Sequence, residues 1–336
     1  MNLANPVLID VTRGGVVESR HRGACVVMDT KGDIVHVWGD VEAPVFPRSS
    51  LKPVQALALI ETGAADAFDV TDEEIALACA SHNSERDQVS RVMTWLHRVG
   101  LDVDDLECGS AESMSLDVTK SMSRSGEMFT RAHHNCSGKH AGFLTTALHM
   151  GEPTKGYIQP DHPVQQRVTR IIEEMTGVSL AKSPCGADGC GIPVFAIPLV
   201  GLARAMVHMI SSDFGEERMA STHRVIAAMA AHPHMVAGTK RFDTRMMEAT
   251  NGRVLTKIGA EGVHVAMIPD YGLGVALKID DGTMRASEQA MGSLLDRLGV
   301  LSSEAHDQVT DLIEKPIFNT VGVQVGELRG AKGFKI

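Results

Sequence analysis

The sequence predicts a mixed α/β (α+β) fold in which one antiparallel sheet is assembled from both ends of the chain and a mainly helical lobe fills the middle. Three observations predict it. Apolar runs rich in β-branched residues and bounded by turn residues lie before residue 48 and after residue 250. Between them, apolar residues recur with the helical period. No stretch has the length or composition of a disordered tether, so residues 1–336 read as one two-lobed domain, with a sheet lobe at about 1–48 and 250–336 and a helical lobe at about 49–249.

Each element has a local reason. Residues 24–28 and 34–38 are β-branched runs around Thr30-Lys31-Gly32, which predicts a hairpin. Pro44 and Pro47 then mark an approach, after which Ala56, Leu57, Leu59 and Ile60 keep helical spacing up to Gly63; Pro53 falls in the first turn, where a missing N–H is tolerated. A helix is expected over 73–79, and another over 163–175, stopped by Gly177. Residues 262–268 and 273–279 read as strands joined through Pro269-Asp270-Tyr271-Gly272, and 286–298 as a helix. The least regular stretches are 109–126, rich in serine, and 183–193, rich in glycine, proline and cysteine.

Bulk properties narrow the functions. A chain of 336 residues buries a large core. Its formal charge of −10 speaks against nucleic acid and against anionic membrane surfaces. The first residues lack a basic region followed by an apolar core, and no apolar run is long enough to span a bilayer, so a cytoplasmic protein without membrane attachment is expected. In that compartment six irregularly spaced cysteines read as thiols or metal ligands rather than a disulfide framework. The 18 methionines are core filler.

Chemistry enters at Ser49-Ser50-Leu51-Lys52, a hydroxyl three residues before an amine at the expected start of a helix. Residues three apart share a helix face, so a neutral Lys52 would take the proton of Ser49 and make a nucleophile without a histidine. About one such S-x-x-K spacing is expected by chance in this length, and a second exists at Ser179 to Lys182. That copy follows the Gly177 stop, off any helix, and reads as a solvated loop. Two further motifs follow in order: Ser81-His82-Asn83 is S-x-N, and Lys257-Ile258-Gly259 is K-x-G. Together the three echo the active-site elements of penicillin-binding proteins and class A β-lactamases. His82 and Asn83 have the alternative of shaping the loop that presents Ser81.

Two clusters concentrate metal-ligating side chains: His133-His134-Asn135-Cys136-Ser137-Gly138-Lys139-His140 and Cys185-Gly186-Ala187-Asp188-Gly189-Cys190-Gly191. Neither has paired C-x-x-C spacing, so a zinc site and a set of small buried thiols are both open. For His140, one turn beyond Cys136, a metal ligand, a substrate donor and a structural histidine are open. Asp188 is either a turn former or a ligand.

The segments Arg48-Ser49-Ser50-Leu51-Lys52-Pro53, Cys79-Ala80-Ser81-His82-Asn83-Ser84-Glu85, Asn135-Cys136-Ser137-Gly138-Lys139-His140, Asp188-Gly189-Cys190 and Lys257-Ile258-Gly259-Ala260 resemble the asparaginase II family, the rhizobial type distinct from the threonine-nucleophile enzymes. The resemblance runs from about Gly14 to the region of Arg329. It implies a serine-β-lactamase-like fold and an L-asparaginase acting on L-asparagine, organised as a homodimer. It implies Ser49 as nucleophile with Lys52 as partner, Ser81 and Lys257 as a second Ser-Lys pair, and Cys136, Lys139 and Cys190 as zinc ligands. Cys185 matches no ligand role. Lys139 must be neutral to coordinate, which makes metal binding pH-dependent.

The chemistry then expected is attack of Ser49 on the side-chain amide carbon, with Lys52 as base and then acid, Ser81 as proton shuttle and Lys257 as the neighbouring charge. Arg48 is placed to pair with the substrate α-carboxylate and Asp188 to receive its ammonium group. Two rivals differ in class: a serine hydrolase of the penicillin-binding or β-lactamase type, and a non-catalytic zinc-binding module in which Cys136 and Cys190 only hold the fold.

Overall fold

A computed structural model describes residues 4–211 and 214–336, and the chain divides into two compact units. The first takes residues up to Ser50, Ala196–Ser211 and Arg245–Ile336; the second takes Leu51–Phe195 and the stretch that ends at Thr244.

The first unit holds an eight-stranded antiparallel sheet: β1 (Val7–Arg13), β2 (Val16–Asp29), β3 (Ile34–Trp38), β4 (Leu255–Ile258), β5 (Val263–Ile268), β6 (Leu273–Ile279), β7 (Lys315–Phe318) and β8 (Gln324–Gly330). Their order is β7-β8-β1-β2-β6-β5-β4, with β3 also on β2. The sheet is therefore built from both chain ends, as the sequence predicts. Strand β2 explains how one strand serves three neighbours. Its first half pairs with β1, and from Gly23 onward it pairs with β6 while Cys25 to Met28 also take β3. A Cβ at Gly23 would sit 2.3 Å from Lys278 O, so only glycine lets the backbones meet at the change of partner.

Strands 263–268, 273–279 and 34–38 match the sequence expectation to within one residue, and 24–28 forms the C-terminal part of β2. Every residue of β5 is buried, so this strand is covered on both faces. Helices Leu199–Ile210 and Met284–Arg297 pack on it. The first of these departs from the expected lobe boundary. Residues 196–211 belong to the sheet unit, because a helix apolar on most sides buries itself against the sheet, and Gly274 lets it approach until a Cβ there would lie 2.7 Å from Ala203 O.

The second unit is helical. Asp72–Ala78 starts with a capping box between Thr71 and Glu74, and Pro163–Thr176 ends at Gly177, whose φ of +67° supplies the left-handed stop. Ser137–His149 is buried along almost its whole length. It approaches Asp72–Ala78 so closely that a Cβ at Gly138 would lie 2.3 Å from Leu77 O. The serine-rich stretch expected to be irregular contains a helix, Leu116–Ser125, with Ser115 accepting from Val118 N–H at its start and Gly126 at φ +70° at its end. Residues 185–187 and 193–195 form a short antiparallel pair where an irregular loop is expected. Among the described residues, no helix is long and apolar enough to cross a membrane.

Candidate active site

In the first unit the chain leaves Pro47 through Arg48, a non-glycine residue at φ +52°. Such a conformation costs energy and is retained where surrounding structure enforces it. It turns the chain sharply, so that Ser50 Oγ folds back to donate to Pro47 O at 2.7 Å while Ser49 stays half-exposed. Ser49 thus lies in a 3-10 turn, Arg48–Leu51, rather than an α-helix, and the chain passes directly into the helical turn Lys52–Gln55. The K-x-G motif receives this turn. A Cβ at Gly259 would come 2.6 Å from Pro47 O and 3.4 Å from Ser50 Cβ, so glycine at the end of β4 permits the close approach. Lys257, on that strand, is fully buried and donates to Ile258 O at 2.8 Å.

In the second unit Lys52 is fully buried. Its Nζ donates to Ser81 Oγ at 3.2 Å and to the carbonyl of Ala80. The loop that carries Ser81 is fixed on all sides. Ser81 N–H donates to Val236 O at 2.9 Å. His82 accepts from Ser84 N–H at Nδ1 (3.0 Å), so its proton is on Nε2 and goes to Ser137 Oγ (2.8 Å), which donates to Ala132 O (2.9 Å). Burial, with Lys52 nearby, pushes the His82 pKa down to about 3. The Asn83 side chain is equally committed. It donates to Glu85 Oε1 and Thr239 O and accepts from Arg241 Nη1 at 3.0 Å, and Gly238 at φ +116° makes room, since a Cβ would lie 2.7 Å from Asn83 Nδ2. His82 and Asn83 therefore shape the loop.

The two cysteine clusters meet in the same unit. Cys136 precedes the helix Ser137–His149, and Lys139 Nζ stands 3.0 Å from Cys190 Sγ, with Asp188 Oδ2 3.7 Å from the same sulfur. Cys136 hydrogen-bonds with Cys190, which, with the Lys52 and Lys139 charges, holds one thiol of the pair well below the ordinary value. The proton kept in that pair, then burial, pushes the other up. Opposing these, the paired sulfurs and Asp188 hold the Lys139 ammonium charged against the effect of burial. Two thiols and an amine at this spacing suit a soft divalent ion such as zinc, with the condition that Lys139 gives up its proton. Cys185 is exposed on its strand, away from that role. A different group, Glu85, Asp87 and His234, also has its donor atoms within 4.8 Å of one another. Both Glu85 oxygens there already accept from Asn83 and Thr239.

His140 is fully buried one turn beyond Cys136. Desolvation, then the Lys139 charge, lowers its pKa well below the ordinary value. Its Nδ1 is 2.7 Å from Tyr157 OH, while Nε2 is buried with no hydrogen-bond partner among the described residues. Asp188 shapes its own turn, as Oδ1 accepts from Gly189 N–H at 2.9 Å, and the carboxylate also reaches Cys190.

The structure thus brings together Lys52 with Ser81, Cys136 with Lys139, Cys190 and Asp188, and the Ser49 turn with the strand of Lys257. Sequence reasoning missed Tyr157, Arg241 and the Ala80 carbonyl. Tyr157 carried a signal: it is one of only two tyrosines, and a buried phenol needs a partner.

Solved structures resemble the chain at low identity. A beta-lactamase from Mycobacterium bovis aligns with a TM-score of 0.42 and 12% identity over 86% of this chain and 94% of its own. A D-alanine carboxypeptidase from Burkholderia cenocepacia gives 0.38 and 11% over 81% and 93%. A simvastatin synthase mutant from Aspergillus terreus gives 0.39 and 11% over 80% and 88%. Comparison with the curated proteins gives no match. The sequence profile of one family, described as L-asparaginase II, matches residues 9–330, which is nearly the whole length and includes every motif above. The chain belongs to the L-asparaginase II family.

Proposed function

We propose that this enzyme is an L-asparaginase, hydrolysing L-asparagine to L-aspartate and ammonia through an acyl-enzyme on Ser49. The observation that carries the reading is the buried Lys52 amine, one turn after Ser49 and hydrogen-bonded to Ser81 Oγ. A buried amine held by a hydroxyl and a carbonyl is placed to exchange protons rather than to sit in solvent.

Neutral Lys52 takes the proton as Ser49 Oγ attacks the side-chain amide carbon. The tetrahedral intermediate collapses with rupture of the C–N bond, and Lys52 returns the proton to the leaving ammonia. Water then attacks the ester, again with Lys52 as base, and aspartate leaves as the Ser49 oxygen regains its proton. Ser81 relays protons at Lys52, and Lys257 is matched to the family's second Ser-Lys pair. Arg48 pairs with the substrate α-carboxylate, Asp188 receives the α-ammonium group, and His140 donates a hydrogen bond to a substrate oxygen.

Cys136, Lys139 and Cys190 would hold zinc in this reading, and a bound dication supplies a fixed positive charge that orients polar substrate groups. The protein's own residues carry the proton transfers. The family resemblance further supports a homodimer.

The test is ammonia release from asparagine, glutamine and small amides by the purified protein, with metal content measured on the same sample and nitrocefin as a counter-assay. Turnover of asparagine with nitrocefin left intact supports the proposal. Nitrocefin hydrolysis without ammonia release from asparagine overturns it.

A further inference from the structure

Tyr157 lies between two groups that together dictate where its single proton goes. Its oxygen accepts from Glu107 N–H at 2.8 Å, and its oxygen is 2.7 Å from His140 Nδ1. The phenol is fully buried, and His140 Nδ1 is the acceptor within its reach among the described residues. The hydroxyl therefore donates to Nδ1. An imidazole that accepts at Nδ1 is neutral and carries its proton on Nε2. That Nε2 is buried and has no hydrogen-bond partner among the described residues.

The surroundings keep this arrangement rigid. Glu107 grips the tyrosine loop twice, by its N–H on the phenol and by Oε1 accepting from Gly156 N–H at 2.9 Å. Gln165 Nε2 donates to Tyr157 O at 2.9 Å. The two rings meet edge to face with centroids 5.5 Å apart. These contacts hold the phenol where it meets His140 Nδ1.

We propose that Tyr157 is a positioning residue that fixes His140 as an Nε2–H donor to a substrate carboxylate or amide oxygen, and thereby keeps His140 from ligating any metal held by Cys136 and Cys190. The substrate part rests on the asparaginase reading above; the tautomer does not. An N–H at Nε2 offers no lone pair to a cation and no acceptor to an ammonium group. Only an acceptor atom satisfies it.

The experiment is two-bond proton–nitrogen NMR on protein with 15N-labelled histidine, the His140 signals identified by their loss in His140→Gln. Wild type should show Nε2 protonated and Nδ1 unprotonated, with the Nε2 signal moving when L-aspartate is added. Tyr157→Phe should mix the two tautomers and raise KM for asparagine about tenfold with kcat nearly unchanged, as expected for one lost binding hydrogen bond. His140→Gln, whose carboxamide N–H can replace the donor, should keep KM far closer to wild type than His140→Leu does, and should retain the wild-type metal content. A proton on Nδ1 in the wild type overturns the proposal, as does loss of metal in His140→Gln, or a Tyr157→Phe protein with unchanged tautomer and KM. If asparagine is not turned over, the wild-type spectrum still decides the tautomer, and a failed activity is then a failure of the asparaginase reading alone. Should Tyr157→Phe not fold, that same spectrum remains the deciding readout.

Discussion

Ser49 to Lys52 and Ser179 to Lys182 carry the same spacing, yet the fold treats them in opposite ways. At the first, a strained residue, Arg48, turns the chain, and Lys52 is taken out of water and given Ser81 and the Ala80 carbonyl as partners. At the second, the helix has already stopped at Gly177, and Ser179 and Lys182 are both exposed. The spacing alone therefore carries no chemistry; burial of the amine beside a hydroxyl separates the two copies.

The comparison breaks most visibly at the two serines. Ser49→Ala should lower kcat/KM at least about a thousandfold with the fold intact, while Ser179→Ala should leave activity unchanged and stability within about 0.5 kcal/mol. Steady-state kinetics beside thermal melts decides, and equal losses at the two sites would make the second copy functional. The lysines sharpen the point. Lys52→Arg should lose about 10²- to 10⁴-fold in kcat, close to Lys52→Ala, because arginine stays charged and cannot take a proton. Lys182→Arg should be silent.

Part of this contrast was legible in the sequence and part was not. The prolines before Ser49 and Gly177 before Ser179 told which copy begins a helical segment, and turn residues told where β3, β5 and β6 lie. β1, β7 and β8 escaped: β7 contains Pro316 and is half-exposed, so its pattern is weak. The helix 116–125 was hidden by its serines, although Ser115 and Gly126 are ordinary cap signals. Proximity of Lys139 to Cys190 was beyond local reading, because 51 residues separate them and only tertiary packing closes the gap.

Smaller effects probe the neighbourhood of the buried site. Removing metal by chelation, or by Cys136→Ser with Cys190→Ser, should raise KM more than it lowers kcat, the pattern of lost uniform binding; a collapse of kcat at normal KM would place the metal in the chemical step. Acid should weaken the fold around Ser81. His82 has its pKa lowered from 6.5 to about 3, so between those values the unfolded chain binds a proton that the folded chain does not. Its contribution is full above pH 6.5 and is lost as pH falls toward 3. Melting temperatures from pH 7 to 4 should drop less steeply for His82→Gln than for wild type, whatever the absolute stability of that variant; equal slopes would mean that His82 is protonated in the fold.

The most direct measurement of the central claim is to quench the protein during turnover of a slow β-aspartyl ester or hydroxamate and map the acylated peptide by mass spectrometry. A β-aspartyl adduct on Ser49, absent from Ser49→Ala and unchanged in Ser179→Ala, is the predicted result. An adduct on Ser81 or Ser179, or hydrolysis at full rate in Ser49→Ala with no covalent intermediate, would contradict it.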